Sequence, residues 1–359
     1  LKRMDGIHLS NKIGIVGGGI TGLISAYFLS QEGYKVDLYE KKTLLSETSS
    51  KTTKLIHGGI RYLENLQFHE VKNGINDRKW WLENFPDETK LQEIIILSKK
   101  KLSPEIFKFF FGIKIYETFA GRSNIKTGRL YKHDDLLSLD IKNNIAAGIS
   151  FYDGLMQESV GQEIIKRCKS NGVNFFENNE IKSIRSEGRI EEKQYKKIII
   201  ATGPWVSSFL EQNKIDTNKT IDYIKGSHLI INRKIKKGFM FKDQKKHRYI
   251  FALPYQGNLL LGTTEQRVSS PEDNHVLDSE VNYLLESINI YIDRPINKDE
   301  IIESYSGVRP LIKSKAQDFH SSSRDFYIQK DHNLLSLFGG KWTTAPSIAR
   351  NIVKIVDNE

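Results

Sequence analysis

Near the start of the chain the hydrophobic pattern changes period. Lys12-Ile13-Gly14-Ile15-Val16 is a short apolar run of strand length that stops at Gly17-Gly18-Gly19. Beyond Ile20-Thr21-Gly22, apolar positions recur at helical spacing (Leu23, Ala26, Tyr27, Leu29) until Gly33. A second strand-like run, Lys35-Val36-Asp37-Leu38-Tyr39, ends on Glu40. Further on, Val71, Ile75, Trp80-Trp81 and Leu82 predict a helix over 68–85 with one buried face, the paired tryptophans belonging to the core. Ser103 as cap and Pro104 in the first turn open another helix, running through Ile106 to Phe111 with Lys114 beyond Gly112. The pattern then predicts a strand over 146–153 closed by a turn at Asp153-Gly154, a helix over 155–170, and strands at 173–176 and 197–200. From Ile221 to Ile302 it becomes one of short alternating runs at His228–Ile231, Tyr249–Leu253 and Leu259–Leu261, as in a mixed or antiparallel sheet. The chain closes with an apolar strand at 334–338, a glycine turn, and a helix whose Ala345, Ile348, Ala349, Ile352, Val353 and Val356 make one core face, capped by Thr343 or Thr344.

The first of these stretches carries chemistry. Gly17-x-Gly19-x-x-Gly22 between a strand and a helix, with Glu40 ending the next strand, is a dinucleotide-binding arrangement. Gly17 permits the tight turn, Gly19 lets a pyrophosphate approach the backbone, and Gly22 lets helix and strand pack closely. The helix N-terminus faces the phosphates and Glu40 can accept from a ribose diol. This leaves NAD and FAD both open. The strand at 197–200 running into Ala201-Thr202-Gly203 adds a second close pass of the chain and moves the reading toward FAD. Gly340-Lys341 is not a phosphate loop, because the earlier glycine is missing and Trp342 stands where Ser or Thr is required.

Composition narrows the classes. A chain of 359 residues holds one large or two medium domains. Its single cysteine, Cys168, excludes a disulfide framework and points to a reducing compartment. No apolar run reaches the length of about eighteen residues needed to span a membrane, and Leu1-Lys2-Arg3-Met4 does not open a signal peptide. The net charge of +10 comes from scattered lysines, which favours a solvated basic face over a nucleic-acid surface. No nucleophile elbow, C-x-x-C or metal-spaced His/Cys cluster occurs, so no metal is expected.

The segment after Glu40 is a hydroxyl-rich loop (Thr48, Ser49, Ser50, Thr52, Thr53) leading into Lys54-Leu55-Ile56-His57-Gly58-Gly59-Ile60-Arg61-Tyr62-Leu63-Glu64. Two adjacent glycines flanked by His, Arg and Tyr suggest backbone pressed against a flat ligand. This segment resembles the flavin-contact segment of FAD-dependent glycerol-3-phosphate dehydrogenases, in the D-amino-acid-oxidase-like flavoprotein superfamily. Ala201-Thr202-Gly203-Pro204-Trp205-Val206, Lys225-Gly226-Ser227-His228, Leu261-Gly262-Thr263-Thr264-Glu265, Ser304 to Leu311 and Phe338-Gly339-Gly340-Lys341-Trp342-Thr343-Thr344 are similar to that family in the same order.

The resemblance implies an α/β fold: a Rossmann-like FAD-binding domain from 9–66, 146–212 and 325–359, with an inserted mixed or antiparallel-sheet substrate domain from 67–145 and 213–324. It implies FAD contacts at Gly17, Gly19, Ile20, Thr21, Gly22, Glu40, Thr48, Ser49, Ser50, Lys54, Leu55, His57, Gly58, Gly59, Ala201, Gly203, Trp205, Gly339, Gly340, Lys341, Thr343 and Thr344. The implied reaction is oxidation of sn-glycerol 3-phosphate to dihydroxyacetone phosphate, with electrons passing to a membrane quinone. Arg61, Arg309 and Arg324 would grip the phosphate, for which bidentate guanidinium contacts suit better than lysine, and Tyr62 would line the substrate site. His228, Lys341 and Arg309 are the candidates for handling the proton. The location implied is cytoplasmic, at most peripheral on the membrane, a place the aromatic helix after Pro104 could also take. An oxidase using oxygen on the same fold is the alternative; a basic flavoprotein binding RNA is a third reading. Two departures from the family bear on this. The chain stops at Glu359 where bacterial members continue into a helical domain, and Gln157-Glu158-Ser159 replaces an acidic-arginine run, so substrate preference can differ.

Overall fold

The computed structural model describes residues 11–59, 68–100, 104–120, 127–243, 248–313 and 326–359. Arg61, Tyr62, Arg324 and the cap expected at Ser103 lie outside the described residues.

Two sheets organise them. In the first, five parallel strands stand in the order Leu334–Gly339, Lys197–Ile200, Lys12–Val16, Lys35–Tyr39, Asn174–Phe176, with Phe326–Asp331 antiparallel on the outer edge. Alternate residues serve two cores. Ile13, Ile15, Ile199, Leu335 and Leu337 pack with the helices Ile20–Gln31, Val160–Ser170 and Ala345–Asn358. Val16, Ile198, Ile200, Leu334 and Phe338 pack with Ile184 and Ile190 of a small three-stranded sheet, with Tyr195 just beyond it and with the helix Val206–Gln212. Burial on both faces is why these strands read as unbroken apolar runs, each fully buried isoleucine contributing about 1.5–3 kcal/mol. Asp37 is tolerated inside because Lys12 Nζ (2.8 Å), the Tyr195 hydroxyl (2.8 Å) and Asn174 Nδ2 (2.9 Å) surround it. Burial alone would raise its carboxyl; these contacts outweigh that and hold it below the usual range.

The second sheet has ten strands and is antiparallel except where Gly238–Lys242 runs parallel to Thr89–Ser98. Next to one edge is the Ile221–Ile231 strand, paired with Asn258–Gly262 on one side and along its length with the edge strand Ile301–Ile312. Leu229, Ile231, Leu259, Leu261, Phe239 and Phe241 pack against the helix Asp278–Asn289. Ile230, Leu260 and Met240 share the other core with Val71 and Ile75 of the Phe68–Asn84 helix and Phe109 and Ile113 of the Pro104–Ala120 helix. Trp81 ties the two halves together: it is fully buried, donates from Nε1 to Thr343 O (3.3 Å) and packs on Trp342.

Several expectations need correcting. Asp153-Gly154 is not a turn: the strand Ala147–Met156 runs straight through it, and the next helix begins only at Val160. The Asp153 carboxylate instead accepts from Arg78 and from Gly58 N–H (both 3.0 Å), and a Cβ on Gly154 would meet Ile56 at 3.1 Å. The pair that looks like turn chemistry is a buried anchor beside a tight crossing. The strand Thr89–Ser98 has no counterpart in the sequence reading, since its polar first half hides its period. His228–Ile231 is the end of an eleven-residue strand, Leu261–Glu265 leaves its strand at Gly262, and the aromatic helix continues past Gly112 to Ala120. Leu55–Ile56 and Ala147–Met156 pair with each other in the second sheet.

The Arg78–Asp153 pair is 3% and 2% exposed, so removing the carboxylate takes a hydrogen-bonded counter-charge from a buried guanidinium. Asp153→Ala is expected to lower the stability by about 3–5 kcal/mol in urea unfolding. A loss below about 1 kcal/mol would show the pair to be solvated.

Candidate active site

A cavity of about 810 Å³ lies between the two sheets. At one end it is walled by the turn after the first strand. Gly17 has φ +110°, and a Cβ there would stand 2.4 Å from Ala201 O; one on Gly22 would stand 2.0 Å from Gly17 O. Only glycine allows these three segments to converge. Glu40 closes this end, its carboxylate accepting from Gly18 N–H (2.7 Å) and Lys42 N–H (2.8 Å). Thr202 lines the same wall, and its Oγ1 is buried with no hydrogen-bond partner among the described residues.

The hydroxyl-rich segment is a strap across the cavity. Ser49 Oγ accepts from Ile20 N–H at the first helix's N-terminus (3.0 Å), and Ser49 O accepts from Trp342 Nε1 (2.8 Å). Thr48 Oγ1 donates to Val308 O (3.1 Å) and Thr52 O accepts from the Tyr305 hydroxyl (2.8 Å), both on the second sheet. Thr53 Oγ1 is hydrogen-bonded to His228 Nε2 at 2.9 Å.

The far end is cationic. Arg309 reaches it across Gly226, where a Cβ would come within 2.2 Å of its guanidinium, and it donates to Thr264 O at 3.2 Å. Arg248, 5% exposed, lines the same end; Glu265 stands between the two arginines at 3.7 and 3.9 Å. His228 is wedged beside them, stacked on Tyr305 (5.0 Å, 21°), in space that Gly262 leaves open. Burial, with Arg309, Lys54 and Arg248 nearby, pushes its imidazole well below the usual range and keeps it neutral.

Of the residues singled out from sequence, His228, Arg309 and Lys341 face this cavity, with Gly17, Gly19, Ile20, Thr21, Glu40, Thr48, Ser49, Leu55, His57, Ala201, Gly203, Trp205, Gly339, Gly340 and Thr343. Gly22, Ser50, Lys54, Gly58, Gly59 and Thr344 stand behind the lining: Gly22 serves close packing, Gly58 N–H is held by Asp153, and Thr344 Oγ1 accepts from Lys341 N–H. Arg248 and Thr53 were missed by the sequence reading. Arg248 follows Lys245-Lys246-His247 and looks like part of a solvated basic run; Thr53 is one hydroxyl among many. Among the described residues no cluster of metal-ligating side chains occurs, and no helix is long and apolar enough to cross a membrane. Cys168 is buried, its thiol pushed up to about 12, so it is inert.

The family profile described as FAD dependent oxidoreductase matches residues 12–355. The chain belongs to that family. It is 28% identical to a glycerol-3-phosphate dehydrogenase of Pseudomonas tolaasii over 94% of its own length and 70% of that protein's. It is 30% identical to an aerobic glycerol-3-phosphate dehydrogenase of Staphylococcus epidermidis over 95% of its length, spanning 66% of that relative. Among solved structures, it superposes on the glycerol-3-phosphate dehydrogenase of Bacillus halodurans complexed with FAD (TM-score 0.74, 21% identity, 98% of this chain and 65% of that one). It also superposes on the L-alpha-glycerophosphate oxidase of Mycoplasma pneumoniae with FAD bound (TM-score 0.76, 20% identity, 96% and 94%).

The cofactor of the family is FAD, and the residues present fit it: a cradle that a Cβ would fill, an orphaned Thr202 hydroxyl, and Glu40 at the end of the second strand. Gly17→Ala is expected to give a folded protein, by circular dichroism, that no longer retains flavin absorbance through gel filtration. A yellow variant would contradict this placement.

Proposed function

We propose that the protein oxidises sn-glycerol 3-phosphate to dihydroxyacetone phosphate. What supports this is the meeting, in one cavity with the dinucleotide cradle, of a neutral buried imidazole and the Arg248–Arg309 pair. Arg248 and Arg309 bring two guanidinium groups to the cavity beside Glu265, chemistry that suits an anionic substrate. Arg61 and Arg324 are proposed as further phosphate ligands and Tyr62 as a lining residue.

FAD, when bound, supplies the acceptor for the hydride that leaves the substrate carbon. The chain's own residues do the rest. Arg309 and Arg248 bind the phosphate and so orient the carbinol. Thr53 lines the cavity and bonds His228 Nε2, which gives the buried imidazole a path to the substrate hydroxyl. A neutral imidazole accepts that proton. Lys341 stabilises the developing alkoxide. Glu40 and the Gly17–Gly22 turn hold the dinucleotide, with Ser49 and Trp342 fixing the strap over it.

An acceptor other than oxygen, proposed to be a quinone, fits the dehydrogenase names of the relatives; the oxidase reading, with oxygen, fits the name of one solved structure. Peroxide release on turnover in air decides between them. Peripheral membrane contact is supported by Phe111 and Ile115, 64% and 37% exposed on one helix.

Anaerobic glycerol 3-phosphate is expected to bleach the flavin, and its failure to do so would sink the proposal. Arg309→Ala should weaken the phosphate substrate by about 1.5–3 kcal/mol, roughly ten- to hundredfold in KM, while leaving glycerol nearly unchanged. Equal losses for both substrates would remove Arg309 from phosphate binding. His228→Ala should slow flavin reduction far more than it weakens binding; an unchanged rate would remove it as the base.

A further inference from the structure

One half-buried cation has no part in this reaction scheme. Lys54 adopts a left-handed backbone (φ +59°) and stands behind the cavity lining. Its Nζ donates to Ser50 O at 2.7 Å and lies 5.9 and 5.8 Å from the ring centres of Tyr255 and Tyr305. The Tyr305 ring stacks in turn on His228. Thr52, Thr53 and Lys54 thus hold this aromatic pair in succession, through the Tyr305 hydroxyl, His228 Nε2 and the Tyr305 ring.

We propose that Lys54 is a positioning residue for proton transfer: its ammonium, held over Tyr305, sets the proton affinity of the His228 imidazole stacked on that ring. The proposal rests on the base role given to His228 above.

The groups bearing on Lys54 are Lys51, Glu158 and Glu303, with the faces of Tyr255 and Tyr305. Burial first, then Lys51, bring its ammonium down to about 8, against the opposing pull of the two glutamates. Arg309 and Arg248, the other cations bearing on His228, stay charged at any working pH. Lys54 disfavours the imidazolium only while it is itself protonated. Below about pH 8 it is charged and His228 is the weaker base; above, it is neutral and His228 is the stronger base. His228 is neutral on both sides, so an alkaline rise in rate would belong to Lys54.

The test measures anaerobic flavin reduction by saturating glycerol 3-phosphate from about pH 6 to about pH 10 in wild type, Lys54→Met and Lys54→Arg holoenzymes. The wild-type rate should rise about threefold through pH 8 as the nearby charge is lost. Lys54→Met should stay at the high level and Lys54→Arg at the low one. The same rise in either variant would overturn the proposal, and Lys54→Arg carries the test if Lys54→Met does not fold. A second readout needs no turnover: in holoenzyme labelled with 15N-histidine, the His228 resonance, assigned with His228→Asn, should titrate at higher pH in Lys54→Met. An unmoved His228 titration overturns the role of Lys54 even if glycerol 3-phosphate is not the substrate, whereas a wild-type flavin that this substrate cannot bleach overturns the functional reading alone.

Discussion

The site depends on a strap, Thr48 to Ile56, that belongs to neither sheet until its last two residues. It ties the N-terminus of the first helix to Ser49, the last helix's entry to Ser49 O through Trp342, and the second sheet to Thr48, Thr52 and Thr53. Each contact is a single hydrogen bond of modest net value, about 1 kcal/mol. Together they fix where a dinucleotide cradle stands relative to a histidine that comes from a separate sheet. Gly307 marks how closely the strap is pressed down: a Cβ there would meet Lys51 at 2.7 Å.

Charge at the two ends of the cavity is arranged in opposite sense. Glu40 caps the dinucleotide end, its oxygens already engaged by two backbone N–H groups, so its place is fixed before any ribose arrives. Arg248 and Arg309 face the other end with Glu265 between them. Burial first, and then the same arginines that suit a phosphate, keep His228 unprotonated, so substrate recognition and base strength share part of their cause.

What was legible in the sequence follows from how local the physics is. The Gly17–Gly22 turn, its flanking strands and Glu40 declare themselves because the whole motif lies within about thirty residues. The closing helix was equally clear, since its apolar face repeats at one period. Asp153-Gly154 misled because its partners, Arg78, Gly58 and Ile56, are remote in sequence, and nothing local separates a buried anchor from a turn. Thr89–Ser98 was missed for a related reason: its polar first half acquires a pattern only beside Ala147–Met156. Arg248 and Thr53 read as ordinary surface residues until folding places them on His228 and Glu265.

The most direct test of the central claim is an experimental structure of the FAD-loaded protein with glycerol 3-phosphate bound. The expected result is a phosphate oxygen within about 3 Å of the Arg309 guanidinium and the carbinol hydroxyl on the Thr53 side of the cavity. A phosphate held away from both Arg248 and Arg309, or a flavin lying outside the cavity that Gly17 and Gly340 border, would contradict it.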